Sequence, residues 1–312
     1  MKKLIHVVAA VIRDKADNIL IAQRPADKHQ GSKWEFPGGK VEQYETVFQA
    51  LQRELNEELG IQIRDAQPLI KICYDYPDQS IILDTWTVRD FSGTAYGKEG
   101  QPVKWVALEQ LSEYEFPEAN VPIVMAASLP DSCLITPEPR HEANFLGKLE
   151  TALQSGVELV QFRAKELSNA DYMDLARRSI ALVHKYQRKI ILNSPPLWIK
   201  EADGMHLSSQ ILNNTPFRPS LARDKILTVA CHSQDELDKA TYIQADAVFI
   251  SAVKKTRSHP MVKPIGWHGF QKLTQHLNLP AYALGGLGLD DIKIAKAYGG
   301  QGIAAISAMW PH

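Results

Sequence analysis

The sequence has few cysteines, almost no net charge and no long apolar run. Its three cysteines, Cys73, Cys133 and Cys231, are an odd set without metal-ligand spacing, so we expect free thiols in a reducing cytoplasm. A formal net charge of −1 gives no electrostatic reason to expect a nucleic-acid duplex or a membrane surface as a partner. No apolar segment is long enough to span a bilayer.

The first residues, MKKLIHVVAAVI, have a basic start and an apolar run, as a signal peptide does. However, His6 interrupts the run, and Arg13, Asp14 and Lys15 follow it directly without a small-residue cleavage site. We therefore expect a buried first strand and a cytoplasmic protein. The length of 312 residues, with 45% hydrophobic content, favours two domains.

Glutamates crowd one face of a predicted helix within residues 38–61, GGKVEQYETVFQALQRELNEELGI. Glu54, Glu57 and Glu58 stand at i, i+3 and i+4, where like charges repel by roughly 0.2–0.5 kcal/mol per pair. A solvated charged face is the alternative interpretation. Yet Glu54 and Glu58 border the apolar stripe of the helix, whereas neutral amides take the opposite side. The stripe consists of Val47, Leu51, Leu55 and Leu59. This pattern predicts a site for a divalent cation.

The same stretch resembles the Nudix box, G-x5-E-x7-R-E-U-x-E-E-x-G-U, at every fixed position. The matching residues are Gly39, Glu45, Arg53, Glu54, Leu55, Glu57, Glu58, Gly60 and Ile61. The resemblance implies a loop–helix–loop that holds Mg²⁺, with Mn²⁺ as an alternative, for hydrolysis of a substituted nucleoside diphosphate. Tyr44 departs from the family, which usually has glycine there; the departure concerns the turn rather than the chemistry.

Segments outside the box resemble the MutT-type 8-oxo-dGTP diphosphatases, in the same order: AQRPADKHQGSKWEFPGGK, YDYPDQ, YGKEGQPVKW and FPEANVP. The substrate contacts implied by this resemblance are Arg24, His29, Glu35, Phe36, Pro37, Gly38, Asp78 and Asn120. The implied metal ligands are the Gly38 carbonyl and the carboxylates of Glu54, Glu57, Glu58 and Glu99.

Each assignment has a plainer alternative. The amide of Asn120 could pair with a purine edge, but asparagine is also a common turn residue. Phe36 could lie against a base or pack in the core, and Arg24 could bind phosphate or form a surface ion pair. Glu99, in a loop between glycines, stands out through the resemblance alone.

The implied reaction is attack of water on a phosphorus of a nucleoside triphosphate, which gives a monophosphate and pyrophosphate. Glu54, oriented by Arg53, is the first choice for the base, although the sequence leaves this assignment open. Glu58 is expected to be mainly a metal ligand, with Glu99 also in the catalytic set. Glu45 is expected to pair with Arg53.

Residues 1–128 have the pattern of mixed strands around one helix, which implies the α/β/α sandwich of the Nudix family. The predicted strands are 4–12, 19–22, 70–76, 81–88 and 103–107, and a second helix is predicted at 121–128. The residues between the first two strands, Lys15-Ala16-Asp17-Asn18, predict a β-hairpin.

Residues 132–312 alternate between apolar runs and helical stretches, as in a (β/α)₈ TIM-type barrel. The predicted strands are 133–136, 158–162, 190–192, 205–207, 226–230, 247–250, 281–284 and 302–306, and predicted helices include 169–186 and 290–297. Because four residues remain after Ala308, we expect the barrel to lack a full last helix.

The second half resembles the thiamine-phosphate synthase and TenI group through LITPEP, VQFRAK, GMHLSSQ, ALGGLG and IAAISAM. The phosphate-site residues implied by this resemblance are Gln161, Arg163, Lys165, Asn193, Gly285, Gly286 and Ser307. However, the usual Asn-Asp-Arg is Asn193-Ser194-Pro195, which lacks a magnesium aspartate, Ala230 replaces a serine, and residues 251–259 lack a terminal lysine. A barrel without synthase activity is therefore favoured.

Three hypotheses remain from the sequence. The protein is a nucleotide-pool hydrolase with a barrel appendage, a bifunctional enzyme with synthase activity, or a hydrolase whose barrel senses a phosphorylated ligand. Its expected partners are small-molecule nucleotides, and the sequence leaves open whether the chain forms a homo-oligomer.

Overall fold

The computed structural model of the protein describes residues 3–27, 30–77, 79–256, 261 and 263–311. The chain divides into two compact units, Met1–Ser128 with His276–Asn278, and Leu129–Gln275 with Leu279–His312. In the described part of the chain, no helix is long and apolar enough to cross a membrane.

The N-terminal unit consists of two sheets and flanking helices. Its strands are β1 (Lys3–Ile12), β2 (Ile19–Gln23), β3 (Trp34–Glu35), β4 (Gly38–Lys40), β5 (Gln62–Asp75), β6 (Gln79–Ser92) and β7 (Val103–Val106), and its α-helices are α1 (Val47–Leu59) and α2 (Val121–Ser128). One sheet has the order β4-β1-β6-β5, with β1 parallel to β6, and the other has the antiparallel order β3-β2-β7.

Strand β1 is buried on both faces and separates two cores. Val8, Ala10 and Ile12 pack with the apolar face of α1, whereas Ala9 and Val11 belong to the core that contains residues of α2. A strand covered on both faces is a continuous apolar run rather than an alternating one. The α/β/α sandwich follows from this arrangement.

The ends of α1 are set by local hydrogen bonds. The Thr46 hydroxyl accepts a hydrogen bond from the Gln49 backbone N–H, and the Gln49 side chain accepts one from the Thr46 N–H, which forms a capping box. At the other end, Gly60 is left-handed, with φ of +68°. Tyr44 in the preceding loop has φ of +73° and is 93% exposed, so the turn keeps its glycine-like geometry although tyrosine occupies it.

The predicted β-hairpin is wrong. Strands β1 and β2 belong to different sheets and share a single isolated bridge, Arg13–Ile19, among the described residues. The turn signal itself is real, because the Asp14 carboxylate accepts hydrogen bonds from the backbone N–H groups of Ala16 and Asn18. The chain turns there and continues into the second sheet.

The C-terminal unit is a closed barrel of parallel strands. The strands are β8 (Ser132–Ile135), β9 (Leu159–Phe162), β10 (Lys189–Asn193), β11 (Gly204–Leu207), β12 (Ile226–Cys231), β13 (Ala247–Ser251), β14 (Ala281–Leu284) and β15 (Gly302–Ala305). Their order around the barrel is β10-β11-β12-β13-β14-β15-β8-β9. The α-helices are α3 (Phe145–Gln154), α4 (Asn169–Lys185), α5 (Ser209–Asn214), α6 (Gln234–Tyr242), α7 (Gly266–Thr274) and α8 (Ile292–Ala297). The predicted two-domain α/β class with an eight-stranded barrel is confirmed.

The described residues after β15, 306–311, form a turn and no helix. Trp310 in this segment is 7% exposed and contacts the ring of Phe145 on α3, with 5.1 Å between ring centroids. The indole ring of Trp310 therefore packs into a hydrophobic core that contains residues of α3, β8 and β9.

Candidate active site

Arg53 on α1 is the centre of a hydrogen-bonded ion-pair network. Its Nε and Nη2 donate to the two carboxylate oxygens of Glu45 at 2.7 and 2.9 Å. Its Nη1 donates to Glu54 at 2.9 Å and to Glu57 at 3.2 Å, and its Nη2 donates to the Lys40 carbonyl at 3.0 Å. Hydrogen bonding to Arg53 lowers the pKa of Glu45 to about 2. The structure thus contains the Glu45–Arg53 pair that the sequence predicts.

Glu58 is the most perturbed carboxyl group of this region. Burial raises its pKa to about 8, and the charges of Glu35, Glu54 and Glu99 act in the same direction. The Gly38 backbone N–H opposes this effect, since it donates to Glu58 Oε2 at 3.0 Å. We call Glu35, Glu54, Glu58 and Glu99 the carboxylate cluster. It combines two residues of α1 with one of β3 and one of the loop before β7.

Arg24 lies at the edge of the carboxylate cluster. Its Nη1 donates to Glu35 Oε2, and both side chains are about a quarter exposed, at 28% and 26%. Burial raises the pKa of Glu35, while the Arg24 charge opposes that rise. The guanidinium therefore balances one carboxylate and keeps an exposed edge that could bind a phosphate oxygen.

Two glycines of β4 allow its backbone to come close to its neighbours. A Cβ at Gly39 would lie 2.2 Å from the carboxyl carbon of Glu54. Gly38 has φ of +150°, and a Cβ there would lie 2.1 Å from the Val8 carbonyl oxygen. Any side chain at either position would therefore displace Glu54 or separate β4 from β1.

A cavity of about 380 Å³ opens beside the carboxylate cluster. Its lining includes Glu35, Glu58 and Glu99, together with Arg24 and Gln101. Hard carboxylate oxygens and a guanidinium around one cavity suit a phosphate chain that binds with a divalent cation.

The donor chemistry of the cluster fits a divalent cation, although its side chains are not arranged as a closed cage. Among the described residues, no three His, Cys, Asp or Glu side chains converge as a metal site. Burial raises the pKa of Glu58, and the charges of Glu35, Glu54 and Glu99 add to that rise. An open set of this kind suits Mg²⁺, because Mg²⁺ needs one or two carboxylates and completes its shell with water and substrate phosphate.

Three polar residues of the cavity lining were not predicted from the sequence: Gln23, Ser32 and Gln101. Gln23 Nε2 donates to the Ser32 carbonyl at 2.9 Å, so these two residues close part of the wall together. All three lie in the segments that carry the MutT resemblance. Neutral polar side chains have no charge pattern that marks a site in a sequence. The nearness of Gln23 to Arg24 and of Gln101 to Glu99 along the chain was the feature that could have indicated them.

Other predicted substrate residues lie elsewhere. Asn120 ends the 3₁₀ helix Glu118–Asn120 and is 8% exposed; of the described residues that line the cavity, none belongs to this helix. Phe36 is 3% exposed and stacks on Phe116 with 5.4 Å between ring centroids. Pro37 lies between β3 and β4. His29 and Asp78 lie outside the described residues.

The predicted phosphate residues of the barrel lie at or just beyond the carboxyl ends of its strands. Gln161 on β9 is 2% exposed, and its Nε2 has no hydrogen-bond partner among the described residues. Burial lowers the pKa of Lys165, the charge of Arg163 lowers it further, and Glu138 opposes both effects. An anion at this end of the barrel would give the amide a partner and stabilise both cations.

The remaining predicted barrel residues have backbone features of their own. Gly285 and Gly286 follow β14 with φ of +108° and +66°. Ser307 is exposed beyond β15. Ser194 occupies the position where the resemblance would place the aspartate. Its hydroxyl donates a hydrogen bond to the amide oxygen of Asn193 at 3.1 Å.

His206 inside the barrel was not predicted from the sequence. It is 4% exposed, and its Nδ1 lies 2.9 Å from the Thr228 hydroxyl. Burial, and secondarily the charge of Lys165, lowers the pKa of His206 to about 3. A polar residue within the apolar run of β11 was the available signal.

Comparisons with known proteins match adjoining parts of the chain. The NUDIX domain family matches residues 8–126, and the family described as thiamine monophosphate synthase matches residues 132–309. The 8-oxo-dGTP diphosphatase of Escherichia coli (strain K12) is 44% identical over 124 residues, which are 40% of this chain and 95% of that protein. The CTP pyrophosphohydrolase of the same strain is 41% identical over 124 residues, 40% of this chain and 91% of that protein.

The barrel has a relative in Aquifex aeolicus (strain VF5), named provisionally as thiamine-phosphate synthase 2. It is 35% identical over 185 residues, which are 57% of this chain and 97% of that protein. Nudix hydrolases generally depend on a divalent metal ion. Both resemblances inferred from the sequence are therefore confirmed, and the chain belongs to the Nudix family through residues 8–126 and to the thiamine monophosphate synthase family through residues 132–309.

Proposed function

We propose that the N-terminal unit hydrolyses 8-oxo-dGTP to 8-oxo-dGMP and pyrophosphate, and so removes an oxidised nucleotide from the DNA precursor pool. The observation that carries the proposal is the carboxylate cluster beside a cavity with Arg24 in its wall. The relative named 8-oxo-dGTP diphosphatase, at 44% identity, supports the choice of substrate. CTP is the competing substrate, because a CTP pyrophosphohydrolase is 41% identical over a similar length.

The side chains divide the work of this reaction. Arg24 neutralises phosphate charge, and Glu54, held by Arg53, accepts the proton of the attacking water. The new O–P bond forms as the P–O bond between the monophosphate and pyrophosphate parts breaks, and the leaving oxygen keeps the bonding electron pair. A bound divalent cation, which we propose to be Mg²⁺ with Mn²⁺ as a substitute, would neutralise phosphate charge and make the attacking water more acidic. Its proposed ligands are the Gly38 carbonyl and the carboxylates of Glu54, Glu57, Glu58 and Glu99.

Recognition of the base is proposed for residues outside the carboxylate cluster. The amide of Asn120 can donate one hydrogen bond and accept another, so it can distinguish the edge of an oxidised purine from that of guanine. Outside the cluster, the other proposed substrate contacts are His29, Phe36, Pro37 and Asp78, and Glu35 of the cluster is a proposed substrate contact as well.

A nucleotide panel with Mg²⁺ tests the proposal. We expect kcat/KM to be highest for 8-oxo-dGTP, with pyrophosphate rather than phosphate as the second product. A preference for CTP would overturn the substrate assignment while keeping the reaction class. Absence of hydrolysis for every nucleotide in the panel would overturn the proposed function.

A second candidate function concerns the barrel, for which we propose binding of a phosphorylated ligand without synthase activity. Two features favour an anion at the strand ends: Gln161 Nε2, which has no hydrogen-bond partner among the described residues, and the exposed cation Lys165, whose pKa is lowered. Synthase chemistry must ionise a diphosphate, and Ser194 stands in place of the magnesium aspartate.

We therefore expect the barrel to bind inorganic phosphate, measured by calorimetry, and we expect Lys165→Met to weaken this binding. We also expect no thiamine phosphate from the pyrimidine diphosphate and thiazole phosphate pair. Product at an ordinary enzymatic rate would favour the bifunctional alternative instead.

We place the domain boundaries at residues 1–128 and 132–312, with a short connection around Pro130 and Asp131. The proposed setting is the cytoplasm, where small-molecule nucleotides, and neither duplexes nor membranes, are the partners.

A further inference from the structure

Gln101 joins the two parts of the chain that carry Glu58 and Glu99. Its Oε1 accepts a hydrogen bond from the Glu99 backbone N–H at 3.0 Å. Its Nε2 donates to the Glu58 carbonyl oxygen at 3.0 Å. We propose that Gln101 is a positioning residue of the cation site, because its single amide holds the Glu99 loop against the end of α1 that carries Glu58. The inference rests on the proposed function and deepens it.

Gln101 restrains the loop at Glu99, one residue beyond the Lys98 N–H that bonds the Glu58 carbonyl. Glu99 is exposed, and it lies between Gly97 and Gly100, the latter with φ of +86°. Glycine on both sides gives the backbone many accessible conformations, so fixing the carboxylate at one place costs conformational entropy. A hydrogen bond to the N–H of Glu99 itself restrains the backbone at the residue whose carboxylate must reach the cation.

At the carboxyl end of α1, the Glu99 loop makes further hydrogen bonds to backbone carbonyl groups. The Glu58 carbonyl also accepts from the Lys98 backbone N–H at 2.9 Å, and Lys98 Nζ donates to the Asn56 carbonyl at 3.1 Å. The loop thus satisfies the Glu58 carbonyl, a group of the last helical turn, whereas the Asn56 carbonyl also accepts from the Gly60 N–H at 3.2 Å. The Gln101 amide can donate to the helix end and accept from the loop together, whereas a carboxylate lacks the donor and an ammonium lacks the acceptor.

The experiment measures cation binding directly and separately from turnover. Gln101→Met keeps the length of the side chain and removes both hydrogen bonds, whereas Gln101→Asn keeps the amide but is one methylene too short to span both partners. We expect each variant to bind Mn²⁺, titrated by electron paramagnetic resonance, on the order of 10-fold more weakly than the original protein. The Mg²⁺ concentration for half-maximal turnover should rise by the same factor, with the nucleotide KM at saturating Mg²⁺ little changed.

Gln52→Met is the matched control. Gln52 lies on α1 and donates a side-chain hydrogen bond to the Ile63 carbonyl at 3.4 Å, so the substitution has the same chemistry in the same unit. We expect it to leave Mn²⁺ binding unchanged. Loss of Mn²⁺ affinity in Gln52→Met equal to that in Gln101→Met would overturn the inference, because the effect would then be a general loss of stability.

Glu58→Gln distinguishes this inference from the proposed function. If Glu58→Gln loses Mn²⁺ binding while both Gln101 variants bind it like the original protein, the positioning role is wrong and the proposed function stands. If Glu58→Gln binds Mn²⁺ normally, or the original protein does not bind it, the proposed cation site is wrong and the role of Gln101 fails with it.

Discussion

Arg53 shows how one cation makes a crowded acidic helix face tolerable. Glu45, Glu54 and Glu57 all lie within 3.2 Å of its guanidinium nitrogens, so their mutual repulsion is offset locally. Burial raises the pKa of Glu58 to about 8, although its carboxylate accepts a hydrogen bond from the Gly38 N–H, which opposes the rise. A bound cation would stabilise the ionised form of this carboxylate.

Glu58→Gln is therefore expected to abolish most Mg²⁺-dependent hydrolysis. The amide has the size of the carboxyl group but lacks its charge, so the fold should persist while turnover falls on the order of 10²–10³-fold. Steady-state kinetics across a Mg²⁺ titration measure the effect. Glu109→Gln, at an exposed position of the 3₁₀ helix Leu108–Glu113, is the matched control. Near-normal turnover of Glu58→Gln at saturating Mg²⁺ would contradict the ligand assignment.

Asn120→Ala tests whether the buried amide reads the base. Loss of one or two hydrogen bonds to an oxidised purine should raise the KM for 8-oxo-dGTP by about 10-fold or more, with a smaller change for dGTP. Because Asn120 is 8% exposed, urea unfolding of the variant must be measured alongside the kinetics. Equal losses for both nucleotides would show that Asn120 only supports the 3₁₀ helix.

At the scale of secondary structure, α1 carries the site because its two ends are fixed locally. The Thr46–Gln49 capping box starts the helix at Val47, and left-handed Gly60 stops it after Leu59. Between these ends, Leu51, Leu55 and Leu59 are fully buried, which fixes the rotation of the helix. Glu54 then lies against Gly39 of β4, and Glu58 lies against Gly38 and lines the cavity, because no other rotation buries the same stripe.

Thr46→Ala should destabilise the N-terminal unit by about 1 kcal/mol, because the Gln49 N–H loses its partner at the helix start. Urea unfolding measures the change. Thr46→Ser keeps the hydroxyl and should retain most of the stability. The Mg²⁺ dependence should be the same in all three proteins, and a large change in it would mean that Thr46 acts in the site as well as in the cap.

At the scale of the whole molecule, each half of the chain keeps polar groups inside its structure. In the barrel these include His206 and Thr228, which are buried and 2.9 Å apart. Burial of an uncharged imidazole is tolerated while it has a hydrogen-bond partner. The same burial makes the barrel sensitive to acid.

The pH dependence of stability follows from the folded-state pKa of His206, about 3, against the ordinary value of 6.5. Above 6.5 both states hold a neutral imidazole. As the pH falls below that value, the unfolded chain takes up the proton first, so stability falls by at most about 1.4 kcal/mol per pH unit until the folded-state pKa is reached. Between pH 6.5 and about pH 5, urea unfolding should show a loss of about 2 kcal/mol that is absent in His206→Asn. The same pH slope in both proteins would contradict the role of His206.

The sequence by itself determined those features that depend on neighbours along the chain. Helix α1 begins after its cap Thr46 and ends before Gly60. The barrel strand Ala281–Leu284 was predicted with its observed bounds, because buried parallel strands are continuous apolar runs. The glutamate spacing also placed Glu54 and Glu58 on one face in advance. Periodicity and capping are local, so one chain segment is enough to specify them.

The tertiary structure alone decided which segments meet. It placed β1 and β2 in different sheets, although their turn signal predicts a hairpin. It brought Glu35 and Glu99 near Glu58, and it buried Asn120. It also placed the Gln101 amide between the Glu99 N–H and the Glu58 carbonyl, both of which it bonds. Contacts between distant segments depend on how whole sheets and helices bury their apolar faces together, and no single segment contains that information.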